Sequence, residues 1–200
     1  HDVGVVHRDL KPDNIFIVNE KIRRDFVKLL DFGVAKLTGT AKDKISLETA
    51  AGAVIGTPAY MSPEQAVSLP VDHRSDIYSL GAIMYQLVTG RLVFEARSVG
   101  EYVLMHTNDD PVPPHKLPNT PELPPALEQV ILRCLEKDPE ARYQSVAALR
   151  EALSTAVASE ATVIKATPLD HARPRPGQLL LLVLAALASL TPATWASEPS

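Results

Sequence analysis

His7-Arg8-Asp9-Leu10-Lys11-Pro12-Asp13-Asn14 places two acids, two bases, a histidine and an amide within eight residues. Two runs of strand length follow it, Ile15-Phe16-Ile17-Val18 and Phe26-Val27-Lys28-Leu29-Leu30, rich in β-branched and aromatic side chains. Residues 19–24 between them read as a hairpin connection. The polar cluster therefore opens a short β segment. Asp31-Phe32-Gly33 comes directly after the second run, seventeen residues beyond Asn14.

Further out the pattern changes. Residues 38–53 keep no period and are rich in Thr, Lys, Asp and Gly, which reads as a long loop. Loops of that length in compact domains usually carry function or stay disordered. Gly56-Thr57-Pro58-Ala59-Tyr60-Met61-Ser62-Pro63-Glu64 closes it. Ser62 before Pro63 is a helix start, with a capping hydroxyl and a proline at the first position. Residues 75–89 form a strongly apolar helix stopped by Gly90, with Ile77, Leu80, Gly81, Met84, Leu87 and Val88 expected on one broad face. Shorter helices are expected over 98–107, 127–135 and 145–158. The seven prolines of 111–125 make that stretch an extended connection.

Composition bounds the rest. An apolar fraction of 46% with 22% charged residues is ordinary for a globular chain. A net charge of −4 argues against nucleic-acid binding driven by phosphate neutralisation. The single cysteine, Cys134, cannot form an internal disulfide, and its helical spacing from Leu127, Val130 and Ile131 reads as core. Residues 155–177 lose periodicity and gain prolines, so they read as a linker. Residues 178–197 hold no charge. Arg173 and Arg175 precede them and Trp195 lies near their end, which suits a membrane span with the basic side cytoplasmic. Their dense apolar core is short for a span and also resembles the apolar part of a signal peptide. Both readings stay open here, the internal position favouring an anchor.

Taken singly, Asp9, Asn14 and Asp31 read as solvated turn residues, and a metal-ligand role for His7 fails because the sequence offers no second ligand at the right spacing. Taken together, the three blocks in this order resemble the eukaryotic-type protein kinases over residues 1–154. Ser62-Pro63-Glu64 stands where that family usually has Ala-Pro-Glu. The fold implied is mainly α, a protein-kinase C-terminal lobe with short β-hairpins, followed by a C-terminal hydrophobic helix. The stretches Asp72-His73-Arg74-Ser75-Asp76 and Asp138-Pro139-Glu140-Ala141-Arg142 resemble the bacterial receptor-like Ser/Thr kinases, which often carry a juxtamembrane linker and one span.

The resemblance assigns roles. Transfer of a phosphoryl group needs a hydroxyl in line with it and neutralisation of charge on its oxygens. Asp9 would take the substrate hydroxyl's proton and Lys11 would stabilise the γ-phosphate. Asn14 and Asp31 would hold Mg²⁺ on the phosphates of ATP. Phe16 would floor the adenine, with plain core packing an equal reading. Lys11 and Thr57 match the Ser/Thr form, the Thr57 hydroxyl bridging Asp9 and Lys11. His7 would stack under Phe32. Arg8 would pair with a phosphate in the loop, Ser46 and Thr49 being the mid-loop candidates. Glu64 and Arg142 would form an ion pair, and Asp76 would accept hydrogen bonds from the backbone at His7 and Arg8.

The partners implied are ATP, proteins bearing Ser or Thr, the inner membrane through 178–197 with the kinase side cytoplasmic, and, as an option, a second copy of the chain. A cytoplasmic location is the alternative. No Gly-x-Gly-x-x-Gly occurs in the 200 residues, and only six residues precede His7. The upper lobe's Gly-rich loop and strand lysine are thus expected to lie outside this stretch. Two functions follow: part of an active Ser/Thr kinase, or a truncated, non-catalytic interaction module. Intact Asp9, Asn14 and Asp31 favour the first.

Overall fold

The computed structural model describes residue 1 and residues 5–18, 26–30 and 58–164, with side chains in the last stretch to 158. The connection 19–24, Asp31-Phe32-Gly33, the loop with Ser46 and Thr49, Thr57 and residues 165–200 lie outside the described residues.

After a 3₁₀ turn at Pro12–Asn14, strands β1 (Ile15–Val18) and β2 (Phe26–Leu29) pair antiparallel, Ile15 opposite Leu29 and Val18 opposite Phe26. A second 3₁₀ turn, Pro58–Tyr60, leads into helices α1 (Pro63–Ala66), α2 (His73–Thr89), α3 (Val99–Asn108), α4 (Pro125–Cys134) and α5 (Val146–Ile164). The described part is thus mainly helical with one hairpin.

Local chemistry sets the ends. Asp72 caps α2 by accepting from the Arg74 N–H at 2.8 Å. Gly90 ends it at φ 70°, where a side chain would be strained, and its N–H bonds the Gln86 carbonyl. Ser62 and Gln65 form a reciprocal capping box on α1. The proline-rich connection before α4 is not extended throughout: it is broken by a 3₁₀ turn at Pro114–Lys116 and by a turn at Pro118-Asn119, where Asn119 takes φ 62°.

Helix α2 is the centre of the lobe. The expected one-sided face is wrong in detail: Leu87 is exposed, while Tyr78, Ile83 and Tyr85 are buried beside Ile77, Met84 and Val88. The His7–Asn14 segment, the Pro58–Tyr60 turn and α4 surround α2, so nearly its whole circumference meets protein. Leu127, Val130, Ile131 and Cys134 of α4 complete the core with Leu149 and Leu153 of α5. Cys134 is fully buried, and burial pushes its thiol up, so it acts as core.

Helix α5 runs past the end expected at 158 and continues to Ile164. No Gly or Pro interrupts residues 155–164, and alanines there favour helix.

At Gly81, α2 and α4 pack too closely to leave room for a side chain. A Cβ there would stand 2.5 Å from Cys134 Cβ and 3.3 Å from Leu135 Cγ. Gly81→Ala is expected to destabilise the domain by about 1–3 kcal/mol through overpacking. Denaturant unfolding measures it. Cys134→Gly in the same chain should recover part of the loss and Cys134→Ala should not, because alanine keeps the offending Cβ.

Candidate active site

The His7–Asn14 segment is built from the backbone outward. Asp76, buried at the start of α2, accepts from the His7 N–H at 2.8 Å and the Arg8 N–H at 2.9 Å. His1 Nε2 lies 2.9 Å from the same carboxylate. Burial raises the Asp76 carboxyl, against the two backbone N–H bonds that favour its charge. Arg8 sits at φ 65°, an uncommon left-handed conformation for a side-chain-bearing residue. Asp76 holds it from one side. The Gln65 side chain holds it from the other, donating to the Arg8 carbonyl at 2.7 Å. Strain of this kind persists only where the surroundings over-determine it.

Beyond that turn the polar side chains converge. Asn14 is buried, and its Nδ2 donates to the Asp9 carbonyl at 2.8 Å and to Asp9 Oδ2 at 3.3 Å. Lys11 Nζ lies 3.3 Å from the same Oδ2. With Nδ2 turned to Asp9, the atom of Asn14 suited to a hard cation is Oδ1. The hairpin supplies the other wall. The Leu30 N–H donates to the Asn14 carbonyl at 2.9 Å, and His7 Nε2 lies 3.1 Å from the Leu30 carbonyl. Leu30 is therefore tied to both ends of the His7–Asn14 motif, and Asp31 is the next residue in the chain. The expected stacking of His7 under Phe32 falls outside the described residues; within them His7 is bonded to the backbone before Asp31. Phe16 lies on β1 opposite Lys28 and is 48% exposed, so core packing does not account for it.

Glu64 and Arg142, 78 residues apart, meet in a buried two-pronged pair, Nη1 to Oε1 at 2.8 Å and Nη2 to Oε2 at 2.9 Å. The remaining Arg142 N–H groups donate to the carbonyls of Glu136, Arg74 and Lys137. All five donors are used. Burial tends to raise the Glu64 carboxyl, but the bonds from Arg142 and Ser75 outweigh it and hold it below the ordinary range.

Sequence reasoning missed Gln65, Ser75 and His1. Gln65 had a readable signal, since it stands three residues after the capping Ser62. Its second bond, to Arg8, had none.

Among the described residues no three His, Cys, Asp or Glu side chains gather as a metal cluster. The donor set instead fits a cation shared with phosphates, one buried amide oxygen beside an acid expected from the next strand end.

The chain belongs to the protein kinase family: the model described as "Protein kinase domain" matches residues 1–154. It is similar to the serine/threonine-protein kinase Pkn1 of Myxococcus xanthus, 46% identical over 188 residues, covering 94% of this chain and 25% of the relative. It is also similar to pkn3 of Myxococcus xanthus, 47% identical over 76% of this chain and 28% of the relative. A probable serine/threonine-protein kinase PknB of Corynebacterium glutamicum is 43% identical over 72% of this chain and 22% of its own length. The chain thus spans about a quarter of the length of these relatives.

Proposed function

We propose that this chain supplies the catalytic loop and substrate side of a Ser/Thr protein kinase that moves the γ-phosphate of ATP onto protein hydroxyls. The observation that carries the reading is the convergence of Lys11 and Asn14 on one oxygen of Asp9, with Leu30 pinned to Asn14. Such clamping fixes the Asp9 carboxylate, which accepts the substrate hydroxyl's hydrogen bond and receives its proton. Lys11, one hydrogen-bond length from Asp9, offers positive charge where the transferred group carries its negative charge. Asn14 Oδ1 and Asp31 would hold Mg²⁺, which when bound neutralises phosphate charge. Phe16, half-exposed on the hairpin, offers the apolar surface an adenine ring needs. Thr57 selects the Ser/Thr mode, and Ser46 or Thr49 carries a phosphate that pairs with Arg8.

The lay-out proposed with this is a kinase lobe to about 154, a juxtamembrane stretch to 177, and an anchor over 178–197 that leaves the lobe in the cytoplasm. The charge-free run and its arginine flank support it. Among the described residues no helix is long and apolar enough to cross a membrane.

The test is made on the protein with its upper lobe present. Transfer to a Ser/Thr peptide with Mg·ATP is expected. Asn14→Ala should raise the Mg²⁺ concentration for half-maximal activity by tenfold or more, about 1.4 kcal/mol. An unchanged Mg²⁺ dependence sinks the metal assignment, and absence of transfer in the unmodified protein sinks the reading as a whole.

A further inference from the structure

The left-handed turn at Arg8 is pinned peptide by peptide. Asp76 accepts from the N–H groups of His7 and Arg8. The next peptide joins Arg8 to Asp9. Its N–H faces His7 Nδ1 at 3.4 Å, a long contact, while its carbonyl accepts from Gln65 Nε2 at 2.7 Å. Gln65 makes the firmer of these two contacts. A peptide unit is planar, so turning it changes ψ of Arg8 and φ of Asp9 together. The Asp9 Cα–Cβ bond swings with that motion, and so does the carboxylate that Lys11 and Asn14 meet. Gln65 therefore acts on the Asp9 carboxylate through one peptide, without touching it.

The direction of the Gln65 amide is fixed by its surroundings. Its Oε1 accepts from the Ser62 N–H at 3.0 Å and from the Ser62 hydroxyl at 3.2 Å. A flipped amide would aim its N–H at the Ser62 N–H and its oxygen at the Arg8 carbonyl. The oxygen thus caps α1 and the nitrogen holds the turn. A glutamate would serve the cap as well, since a capping box takes either residue. Only the amide can also donate to Arg8, so the helix does not account for glutamine at this position and the turn does.

We propose that Gln65 is a positioning residue for phosphoryl transfer: its amide N–H fixes the Arg8–Asp9 peptide and so aims the Asp9 carboxylate at the acceptor hydroxyl. This rests on the kinase reading above, in which Asp9 receives the acceptor's proton.

The experiment uses the protein with its upper lobe present, a Ser/Thr peptide and Mg·ATP. Gln65→Glu keeps the shape and the cap, and sets an acceptor against the Arg8 carbonyl. It is expected to lower kcat by about tenfold or more, while KM for peptide and KM for ATP stay within about twofold and the urea midpoint holds. Gln65→Met removes the donor without adding charge and should lower kcat in the same way. It carries the test should the glutamate variant fold poorly. Ser62→Ala is the converse. It removes the capping hydroxyl but leaves the Ser62 N–H to orient Gln65, so the urea midpoint should drop while kcat stays within about twofold. An unaltered kcat in both Gln65 variants would overturn the proposal. So would KM for both substrates worsening in step with kcat, or a kcat loss in Ser62→Ala as large as in Gln65→Glu. Absence of transfer in the unmodified protein would instead remove the kinase reading, and this inference with it.

Discussion

Arg142→Ala is expected to destabilise the lobe by roughly 3–5 kcal/mol, a large share of the about 5–15 kcal/mol that holds a domain folded. The size follows from what stays behind. Glu64 is buried and would keep a charge without either guanidinium bond, left to the Ser75 hydroxyl and a backbone N–H. The carbonyls of Glu136, Arg74 and Lys137 would lose their donors at the same moment. Arg142→Lys should fall well short of rescue, because an ammonium cannot form the two-pronged contact and reach three carbonyls as well. Urea unfolding of the single and double variants measures this. The loss from Glu64→Gln with Arg142→Ala should be clearly smaller than the sum of the two single losses. A cost below about 1 kcal/mol for Arg142→Ala would place the pair with surface ion pairs and refute the account. The pH dependence has a definite sign. Glu64 is held below its ordinary range, so its contribution is present above the unfolded carboxyl pKa and is lost as pH falls through the lower folded value. Arg142→Ala should flatten that acid limb.

The pair also bears on the loop. Glu64 and Gln65 are neighbours on α1, and Gln65 donates to the Arg8 carbonyl. Slackening α1 therefore loosens one of the two clamps on the left-handed Arg8 turn.

The legible parts of this chain are those written in local chemistry. Strand runs, the proline-first start of α1, the Gly90 stop and the core spacing of α4 all follow from near neighbours in sequence. The Glu64–Arg142 contact was accessible only through resemblance, since no periodicity links residues 78 apart. What escaped has a common cause. Gln65 serves the cap of its own helix and a distant carbonyl, and only the first use leaves a pattern. His106 looks like the basic end of an amphipathic helix, yet tertiary enclosure by Tyr78, Phe94 and Tyr102 makes it core. Leu87 fits the apolar stripe of α2 but faces outward, because burial around a central helix depends on which neighbours arrive. Helix α5 outran its expected end because a run without Gly or Pro carries no stop signal.

Asp9→Asn, in the protein with its upper lobe, is expected to lower kcat for peptide phosphorylation by about 10²–10⁴, the usual worth of a positioned general base. An amide of the same shape keeps the loop's packing, so folding should be nearly unaffected. It loses the proton acceptor and the ionic partner of Lys11, 3.3 Å away. KM for ATP should stay within a few-fold, since the proposed reading has Asp9 meet the acceptor hydroxyl and leaves the nucleotide to other residues. Lys11→Met should separate the two roles. It removes the charge proposed to meet the transferred group and leaves the Asp9 carboxylate, so kcat should fall while the proton acceptor remains. Proton transfer and charge stabilisation belong to one step. The double variant should therefore lose much less than the product of the single losses, as groups that act as a unit do. Steady-state kinetics with varied peptide and varied ATP, together with an unfolding curve for each variant, decide the matter. Transfer by Asp9→Asn within about tenfold of the unmodified rate, or single losses that simply multiply, would show that the proton leaves by another route.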